Sequence, residues 1–271
     1  MDLVEVSSWR RPAGREDLAP RPGEAVVAGG TWLFSQPQPG VTGLVDLLAL
    51  GWPDHERRGD GGLRIGATCP VGALTGLPWA ELGDPGWAAL AAGAADALLM
   101  SFKVQRTATV GGNVCLALPA GAMTALLAAL DATAEVWTAG GGTRHEPVAG
   151  LVRGPGRTSL APGEVVRGFD VPAEALARRG ALRRVSLTDH GRSAALVVGT
   201  RGADGVRLVV TASTPRPVVL HLPPWAGPDE AAAAASGVQE WFDDVHGAPD
   251  WRAAMTARLA RQVLTDLGGP G

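Results

Sequence analysis

Two glycine pairs interrupt apolar stretches of the chain and constrain its fold more than any other feature. The first lies in "AVVAGGTWLF", where Gly29, Gly30 and Thr31 separate small apolar residues from bulky ones. The second lies in "TATVGGNVCLAL", where an apolar run that we interpret as a strand meets Gly111 and Gly112. The first pair lacks the Asn or Asp and the polar flanks of a typical hairpin turn. Such a pair indicates a group that approaches the backbone closely, or a tight turn with positive φ.

Backbone N–H groups at these two places are candidates for an anion site. Successive N–H groups at a glycine turn bind an anion through geometry and partial positive charge, without Lys or Arg. Two such turns that face one another would clamp a pyrophosphate. The chain has no GxxxxGK[ST] loop and no GxGxxG after a strand, so we expect neither a P-loop nor a Rossmann cofactor site. Tight structural turns remain the alternative.

Composition excludes several classes of function. The net charge of −3 and the scattered arginines argue against a nucleic-acid partner. No apolar run reaches the ~18 residues of a membrane span, and the first residues lack an apolar signal segment, so we expect no membrane insertion. Cys69 and Cys115 have no metal-ligand spacing, which predicts no metal site and a reduced, cytoplasmic location.

The order of strand-like and helical patterns predicts an α+β protein with three consecutive segments, 1–53, 54–176 and 177–271. The middle segment contains an apolar, Ala-rich run from Gly86 to Met100 with helical spacing. The last segment reads as a three-stranded antiparallel sheet followed by helices. In this sheet, "GADG" forms the hairpin turn between the second and third strands.

Several stretches together resemble one known family. "AGGTWLF" followed by "LVDL", "GLRIGATC", "TVGGNV" followed by "LLAALDA", "GRTSLAPGEVV" and "DGVRLVVTASTPRPV" occur in the family's order and spacing. They resemble the FAD-binding medium subunit of molybdenum hydroxylases of the carbon monoxide dehydrogenase and xanthine dehydrogenase type, over most of the chain. The resemblance implies a PCMH-type FAD-binding domain in two parts, 1–53 and 54–176, and a separate C-terminal domain at 177–271.

The same resemblance implies FAD as the cofactor and assigns residues to it. For the first loop and its flanks, which would hold the diphosphate through backbone N–H groups, the implied residues are Ala28, Gly29, Gly30, Thr31, Trp32 and Leu33. For the second loop, near the diphosphate and the isoalloxazine, they are Thr109, Gly111, Gly112 and Asn113. Leu160 would contact the flavin, and Arg183 would reach its polar edge, with Arg184 as the alternative.

The chain departs from the family pattern at positions that matter for the cofactor. Trp32 stands where the family commonly has an acidic residue. Leu118 and Ala122 stand where relatives have a serine and an aspartate that bonds an FAD hydroxyl. Leu99, with Phe102 close behind, stands where some relatives carry an aromatic side chain over the flavin. Each charged hydrogen bond lost in this way would cost roughly 1–3 kcal/mol of affinity.

By resemblance, the chain is the electron-transfer subunit of a larger enzyme. Substrate oxidation would occur at a molybdenum cofactor on a large subunit, and electrons would pass through [2Fe–2S] clusters on a small subunit to FAD on this chain. The assembly would be a heterotrimer, in one or two copies. We expect no catalytic side chain here, because the histidines are scattered. The alternatives are a structural subunit that has lost FAD and a stand-alone flavin oxidoreductase.

Overall fold

A small parallel sheet forms the N-terminal part of the molecule. The computed structural model describes residues 3–19 and 21–268. Its first three strands are β1 (Ser8–Arg10), β2 (Glu24–Val27) and β3 (Gly43–Asp46). They pair in the order β1-β3-β2, all parallel. Short 3₁₀ turns follow β1 at Arg15–Leu18 and β3 at Leu47–Leu50. The first glycine pair follows directly where β2 ends.

The middle of the chain forms a five-stranded antiparallel sheet and a small hairpin. Its strands are β4 (His55–Arg57), β5 (Leu63–Gly66), β6 (Thr133–Trp137), β7 (Thr143–Pro147), β8 (Val152–Gly154), β9 (Arg157–Thr158) and β10 (Val165–Val171). The large sheet has the order β4-β5-β10-β6-β7, whereas β8 and β9 pair with each other. The helices of this region are α1 (Val71–Thr75), α2 (Trp79–Leu82), α3 (Trp87–Ala97), α4 (Phe102–Thr107), α5 (Val110–Cys115), α6 (Ala122–Ala129), α7 (Val148–Leu151) and α8 (Ala173–Leu176).

Two sequence predictions for this region have different outcomes. Helix α3 lies within the stretch predicted to be helical. The strand predicted to run into Gly111 and Gly112 is wrong, because these glycines lie inside helix α5. Thr109 caps that helix by accepting a hydrogen bond from the Gly112 N–H at 3.1 Å, and a capped N-terminus favours the helical turn over an extended chain.

The C-terminal part is a four-stranded antiparallel meander between two layers of helices. Its strands are β11 (Arg179–Val185), β12 (Ala195–Gly202), β13 (Gly205–Thr211) and β14 (Val218–Leu222), and its helices are α9 (Pro228–Ser236) and α10 (Pro249–Leu267). The three predicted strands correspond to β11–β13. The prediction missed β14, which follows Pro215 and Pro217, two residues that read as chain breakers.

Strand β12 joins the C-terminal part to the rest of the molecule, because its side chains alternate between two cores. Leu196 and Val198 belong to the large core that contains α3 and α6, whereas Ala195 and Val197 face α9 and α10. Because side chains alternate across a strand, one strand serves both cores. The boundaries near 53 and 176 stay a prediction. In the described part of the chain, no helix combines the length and the apolar character that crossing a membrane requires.

Candidate functional site

The first glycine pair packs directly on the backbone of helix α4. A Cβ atom placed on Gly29 would lie 1.9 Å from the Thr107 carbonyl oxygen, so no side chain fits there. Gly30 has φ of +66°, in the left-handed region that glycine adopts readily. Both of the sequence-based explanations for this pair, close approach and positive φ, therefore apply, one to each glycine.

The segment that follows leaves a run of N–H groups without acceptors. Within the described residues, none of the N–H groups from Gly29 to Leu33 donates a hydrogen bond. Two carbonyl groups of the same segment are occupied, since Gly30 accepts from the Phe34 N–H and Trp32 accepts from the Ser35 N–H, both at 2.9 Å. Unpaired N–H groups need a partner, from solvent or from a ligand. Five consecutive donors with no protein acceptor form a surface suited to an anion.

The second glycine pair uses its N–H groups inside the protein. Val110 donates to the Cys69 carbonyl at 2.9 Å, Gly111 donates to the Ala67 carbonyl at 2.8 Å, and Gly112 donates to the Thr109 hydroxyl. A Cβ atom on Gly111 would lie 2.7 Å from the carbonyl oxygen of Ala67. This glycine pair therefore attaches helix α5 to the strand-end segment at residues 67–69.

Asn113 connects the same helix to the next one. Its Oδ1 accepts a hydrogen bond from the Met123 N–H at 2.9 Å, near the start of α6. Because the oxygen faces a donor, the side-chain nitrogen is the remaining polar group, and it has no partner among the described residues. Asn113 is 8% exposed and lies on the wall of a cleft that both glycine segments line. Its side-chain nitrogen is the amide donor that the second glycine segment brings to this wall.

A cleft of about 460 Å³ separates the two glycine segments. It is lined by all six residues predicted in the first segment, 28–33, and by three of the four predicted in the second. These three are Thr109, Gly112 and Asn113. Apolar side chains from the end of α3 and from the stretch after α5 complete the walls, among them Leu99 and Leu118. The volume lies within the ~300–1,000 Å³ typical of ligand pockets.

Two of the remaining predicted residues line a neighbouring cavity. Gly111 and Leu160 border a space of about 180 Å³, which shares the walls formed by Ala28, Gly112 and Cys115 with the main cleft. Burial raises the pKa of the Cys115 thiol to about 12, so this thiol is neutral near neutral pH. The shared wall is therefore apolar and uncharged.

Arg183 does not reach the cleft. Its guanidinium pairs with Asp266 of α10 at 2.7 and 2.8 Å, on the face of the sheet that carries the C-terminal helices. The alternative, Arg184, does not line the cleft either. Because residues 181, 183 and 185 alternate with 180, 182 and 184 along β11, adjacent side chains point to opposite faces of the sheet. The Arg183 side chain therefore lies on the face of the sheet that α10 covers, away from the cleft.

Arg192 is the cleft residue that the sequence analysis missed. It lies in the loop between β11 and β12, and among the described residues it is the only charged one that lines the cleft. The cleft lining contains no carboxylate and no imidazole in this part of the chain. Arg192 belongs to no periodic sequence pattern, because it lies in an irregular loop, and the fold of this loop places it in the cleft lining. The "TDHGR" turn was the available signal.

A second polar cluster lies on the outer face of the five-stranded sheet. Oxygen or nitrogen atoms of Glu135, His145 and Asp170 lie within 4.8 Å of one another. Arg64 already donates to Glu135 at 2.6 Å and to Asp170 at 2.8 Å. Burial tends to raise the pKa of Asp170, but hydrogen bonds from Arg64 and Arg58 lower it overall. The carboxylates serve an ion-pair network; that the chain holds no metal stays a prediction.

The features of the cleft match the requirements of a dinucleotide such as FAD. Free N–H groups and Arg192 offer partners for a diphosphate, and the apolar walls suit planar rings. The departures noted in the sequence remain visible, since Leu118 adds an apolar side chain to the lining. Ala122 is fully buried in the first turn of α6 and adds no polar group. The residues present fit the cofactor through the backbone more than through side chains.

Comparisons with known proteins support the same fold and cofactor. A family model described as the FAD binding domain in molybdopterin dehydrogenase matches residues 14–174. The structure is similar to quinoline 2-oxidoreductase from Pseudomonas putida 86, with a TM-score of 0.80, 21% identity, and 96% of each chain covered. It is also similar to carbon monoxide dehydrogenase from Hydrogenophaga pseudoflava, with a TM-score of 0.78, 21% identity and 96% of each chain covered. No curated protein sequence matches the chain. At this identity the structural similarities show the fold alone.

Proposed function

The chain belongs to the family of FAD-binding domains of molybdopterin dehydrogenases, and on that premise we propose that it is the FAD-binding electron-transfer subunit of a molybdenum-containing hydroxylase or dehydrogenase complex. Electrons enter from iron–sulfur clusters on a partner subunit and leave to a terminal acceptor. One observation carries the assignment of the site: the run of unpaired N–H groups from Gly29 to Leu33, which lies across a cleft from Asn113 and Arg192.

The backbone of the first segment holds the diphosphate in this proposal. Residues 29–33 supply N–H donors with partial positive charge, and Arg192 adds a full positive charge. Thr109, Gly112 and Asn113 form the opposite wall, and the Asn113 side-chain nitrogen is its free donor. Gly111 and Leu160 border the adjoining cavity, and there Leu160 would contact the ring system. Arg183 has no role at the cofactor, because its ion pair with Asp266 keeps it on another face.

The protein binds and orients the flavin but takes no chemical step of its own. When bound, FAD supplies the two-electron chemistry, as cofactors do in redox enzymes generally. The apolar side chains of Leu99 and Leu118 offer packing surface to the ring. Because the lining holds no carboxylate or imidazole within the described residues, no side chain there moves a proton. The site is built for positioning, and catalytic residues are assigned to the partner subunits.

The partners follow from the same proposal. One relative in the structural comparison is a carbon monoxide dehydrogenase described as lacking the Mo-pyranopterin moiety of its molybdenum cofactor. We assign to this chain a large molybdenum-cofactor subunit and a small [2Fe–2S] subunit, in one or two heterotrimers. Its two cysteines are unpaired and too few for a cluster that takes four ligands. Exposed Trp32, Leu99 and Phe102 lie at or beside the cleft and suit a protein contact. We place the complex in the cytoplasm.

A structural subunit without FAD is the second candidate, and one observation favours it. Leu118 lines the cleft where relatives have a serine, so a polar partner for the cofactor is missing. A stand-alone flavin oxidoreductase would need an acid–base group at the site, and the described lining offers none.

The experiment that separates these candidates is the visible absorption spectrum of the purified chain, followed by a titration with FAD. The proposal predicts flavin bands, or saturable uptake, at about one FAD per chain. A colourless chain that takes up no FAD would favour the structural subunit. Turnover of small donors and acceptors by the chain alone would favour the stand-alone enzyme. Mixing the loaded chain with reduced partner subunits should reduce its flavin.

A further inference from the structure

A buried arginine in the C-terminal helix contacts three separate loops. Arg252 of α10 is 1% exposed. Its Nε donates to the Gly247 carbonyl at 2.8 Å, and its Nη1 donates to the carbonyls of Ala194, at 2.9 Å, and Ala212. Its Nη2 pairs with Asp244. A guanidinium offers five N–H donors in a rigid, planar arrangement, so its position fixes these acceptors relative to one another.

The contact with Ala194 is connected to the part of the cleft wall that directly follows helix α3. Ala194 follows Ser193, whose N–H and hydroxyl both donate to the Ala97 carbonyl, at 3.3 and 2.8 Å. Ala97 is the last residue of α3, and the next residues, 98–100, line the cleft. Arg192, which also lines the cleft, directly precedes Ser193. A shift of the chain at Ala194 would therefore displace both an apolar wall and the charged residue of the site.

A second contact leads to another part of the cleft wall, at Leu118. Ala212 has φ of +65°, a conformation that an alanine rarely adopts, and its carbonyl accepts from Arg252. Its N–H donates to the Pro119 carbonyl at 2.7 Å. Pro119 follows Leu118, which lines the cleft. The hydrogen bond from Arg252 helps to hold Ala212 in its strained conformation and thereby holds the stretch at Leu118.

The same domain contains a second buried arginine with no such connection. Arg201 is 7% exposed and donates to the carbonyls of Pro224, at 2.6 Å, and Ala226, at 2.8 Å. Neither acceptor lines the cleft. Arg201 is thus similar to Arg252 in burial and in donating to two backbone carbonyls, although among the described residues it has no carboxylate partner. It provides a matched control for any effect that a buried arginine has on the stability of the domain.

We propose that Arg252 is a positioning residue of the cofactor cleft, which holds the walls at 97–100 and 118–119 at a fixed separation through Ala194 and Ala212. The C-terminal domain then shapes the cleft from outside its lining. This proposal rests on the proposed function only in naming FAD as the ligand. The positioning itself is a property of the chain without cofactor and is measured without it.

The first test is hydrogen–deuterium exchange of the cofactor-free chain, comparing Arg252→Lys with Arg201→Lys. Both variants keep the charge and lose the planar donor set. For Arg252→Lys we expect at least tenfold faster exchange at the Ser193 and Ala212 N–H groups, extending to residues 98–100. For Arg201→Lys the faster exchange should be confined to the turn at Ala226, whose N–H donates to the Pro223 carbonyl. Equal loosening of the cleft in both variants, or none in Arg252→Lys, would overturn the proposal.

The second test measures FAD dissociation constants of the folded variants by flavin fluorescence. Arg252→Lys should bind FAD at least tenfold more weakly than the unchanged chain, whereas Arg201→Lys should stay within twofold. If the unchanged chain binds no FAD, the proposed function fails, and the exchange experiment still decides the role of Arg252. If Arg252→Lys does not fold, the test uses Ser193→Ala, which removes the hydroxyl that donates to the Ala97 carbonyl. Ser193→Ala should speed exchange at 98–100 and weaken FAD binding about threefold, and no change in either would contradict the proposal.

Discussion

The two glycine segments are similar in sequence and opposite in structure. Residues 29–33 leave their N–H groups without acceptors, whereas residues 110–113 use theirs for hydrogen bonds within the described chain. The first segment turns where a strand ends, and the second forms a capped helical turn. The first is available to a ligand, and the second builds the wall that the ligand would meet.

A glycine pair in an apolar stretch therefore predicts that another group lies close to the backbone, but it does not predict whether that group belongs to the protein or to a ligand. At Gly29 the neighbour is the carbonyl oxygen of Thr107, which brings the loop against the end of α4. At Gly111 the neighbour is Ala67, which accepts the hydrogen bond that a ligand would otherwise receive. The following predictions test whether the two segments serve these separate purposes.

The largest effect should come from Gly29→Ala. A methyl group would meet backbone, 1.9 Å from the Thr107 carbonyl oxygen, and backbone cannot rotate away as a side chain can. We expect FAD affinity to fall more than 100-fold, about 3 kcal/mol, in a fluorescence titration. The control is Gly59→Ala, where a Cβ atom meets nothing within 4 Å. Tight binding by Gly29→Ala would mean that the first segment does not hold the cofactor.

Gly111→Ala should instead lower the stability of the fold. The added Cβ lies 2.7 Å from both the carbonyl oxygen and the Cβ of Ala67, and overpacking of a buried site typically costs about 1–3 kcal/mol. Chemical denaturation should therefore show a lower free energy of unfolding, while the folded fraction binds FAD within threefold of the unchanged chain. Gly140→Ala, in open space, is the control. A loss of affinity without a loss of stability would mean that the two segments act alike.

Thr109→Ala should have a smaller effect of the same kind. The Thr109 hydroxyl caps α5 by accepting from the Gly112 N–H at 3.1 Å, and loss of such a cap costs about 1 kcal/mol. Thr109→Ser keeps the hydroxyl and should keep the stability measured by thermal unfolding. If Thr109→Ala were as stable as the unchanged chain, the cap would not be what maintains the helical turn.

The smallest effect should come from Arg192→Gln. Arg192 is exposed at the cleft, so solvent and salt screen its attraction for a diphosphate. We expect FAD affinity to fall about fivefold at low salt. At high salt the difference between Arg192→Gln and the unchanged chain should be smaller, because salt screens the attraction between Arg192 and the diphosphate. Arg183→Gln should leave affinity unchanged, since Arg183 pairs with Asp266. The reverse order of effects would restore the role that the family resemblance implies for Arg183.

Much of the fold could be predicted because local patterns carry it. The helix at 87–97, the antiparallel strands from 179 to 211 and the C-terminal helix all follow patterns that a window of residues contains. The strand predicted to run into Gly111 and Gly112 was wrong, because an apolar run with two glycines resembles an interrupted strand although it forms a helical turn at 110–115. The capping hydroxyl of Thr109 shows its role only once its partner is known.

The family and the cofactor could be inferred from the sequence because several stretches resemble one family in order and spacing, and the two glycine pairs indicated where the chain approaches another group closely. The tertiary structure decided which N–H groups stay free, since acceptors such as Ala67 for Gly111 lie 44 positions away along the chain. It also decided that Arg192 lines the cleft and Arg183 does not, because the loop between β11 and β12 brings Arg192 to the cleft, whereas Arg183 pairs with Asp266 of α10. Contacts between distant segments, which no local pattern encodes, determine whether the N–H groups of a glycine pair stay free or form hydrogen bonds within the fold.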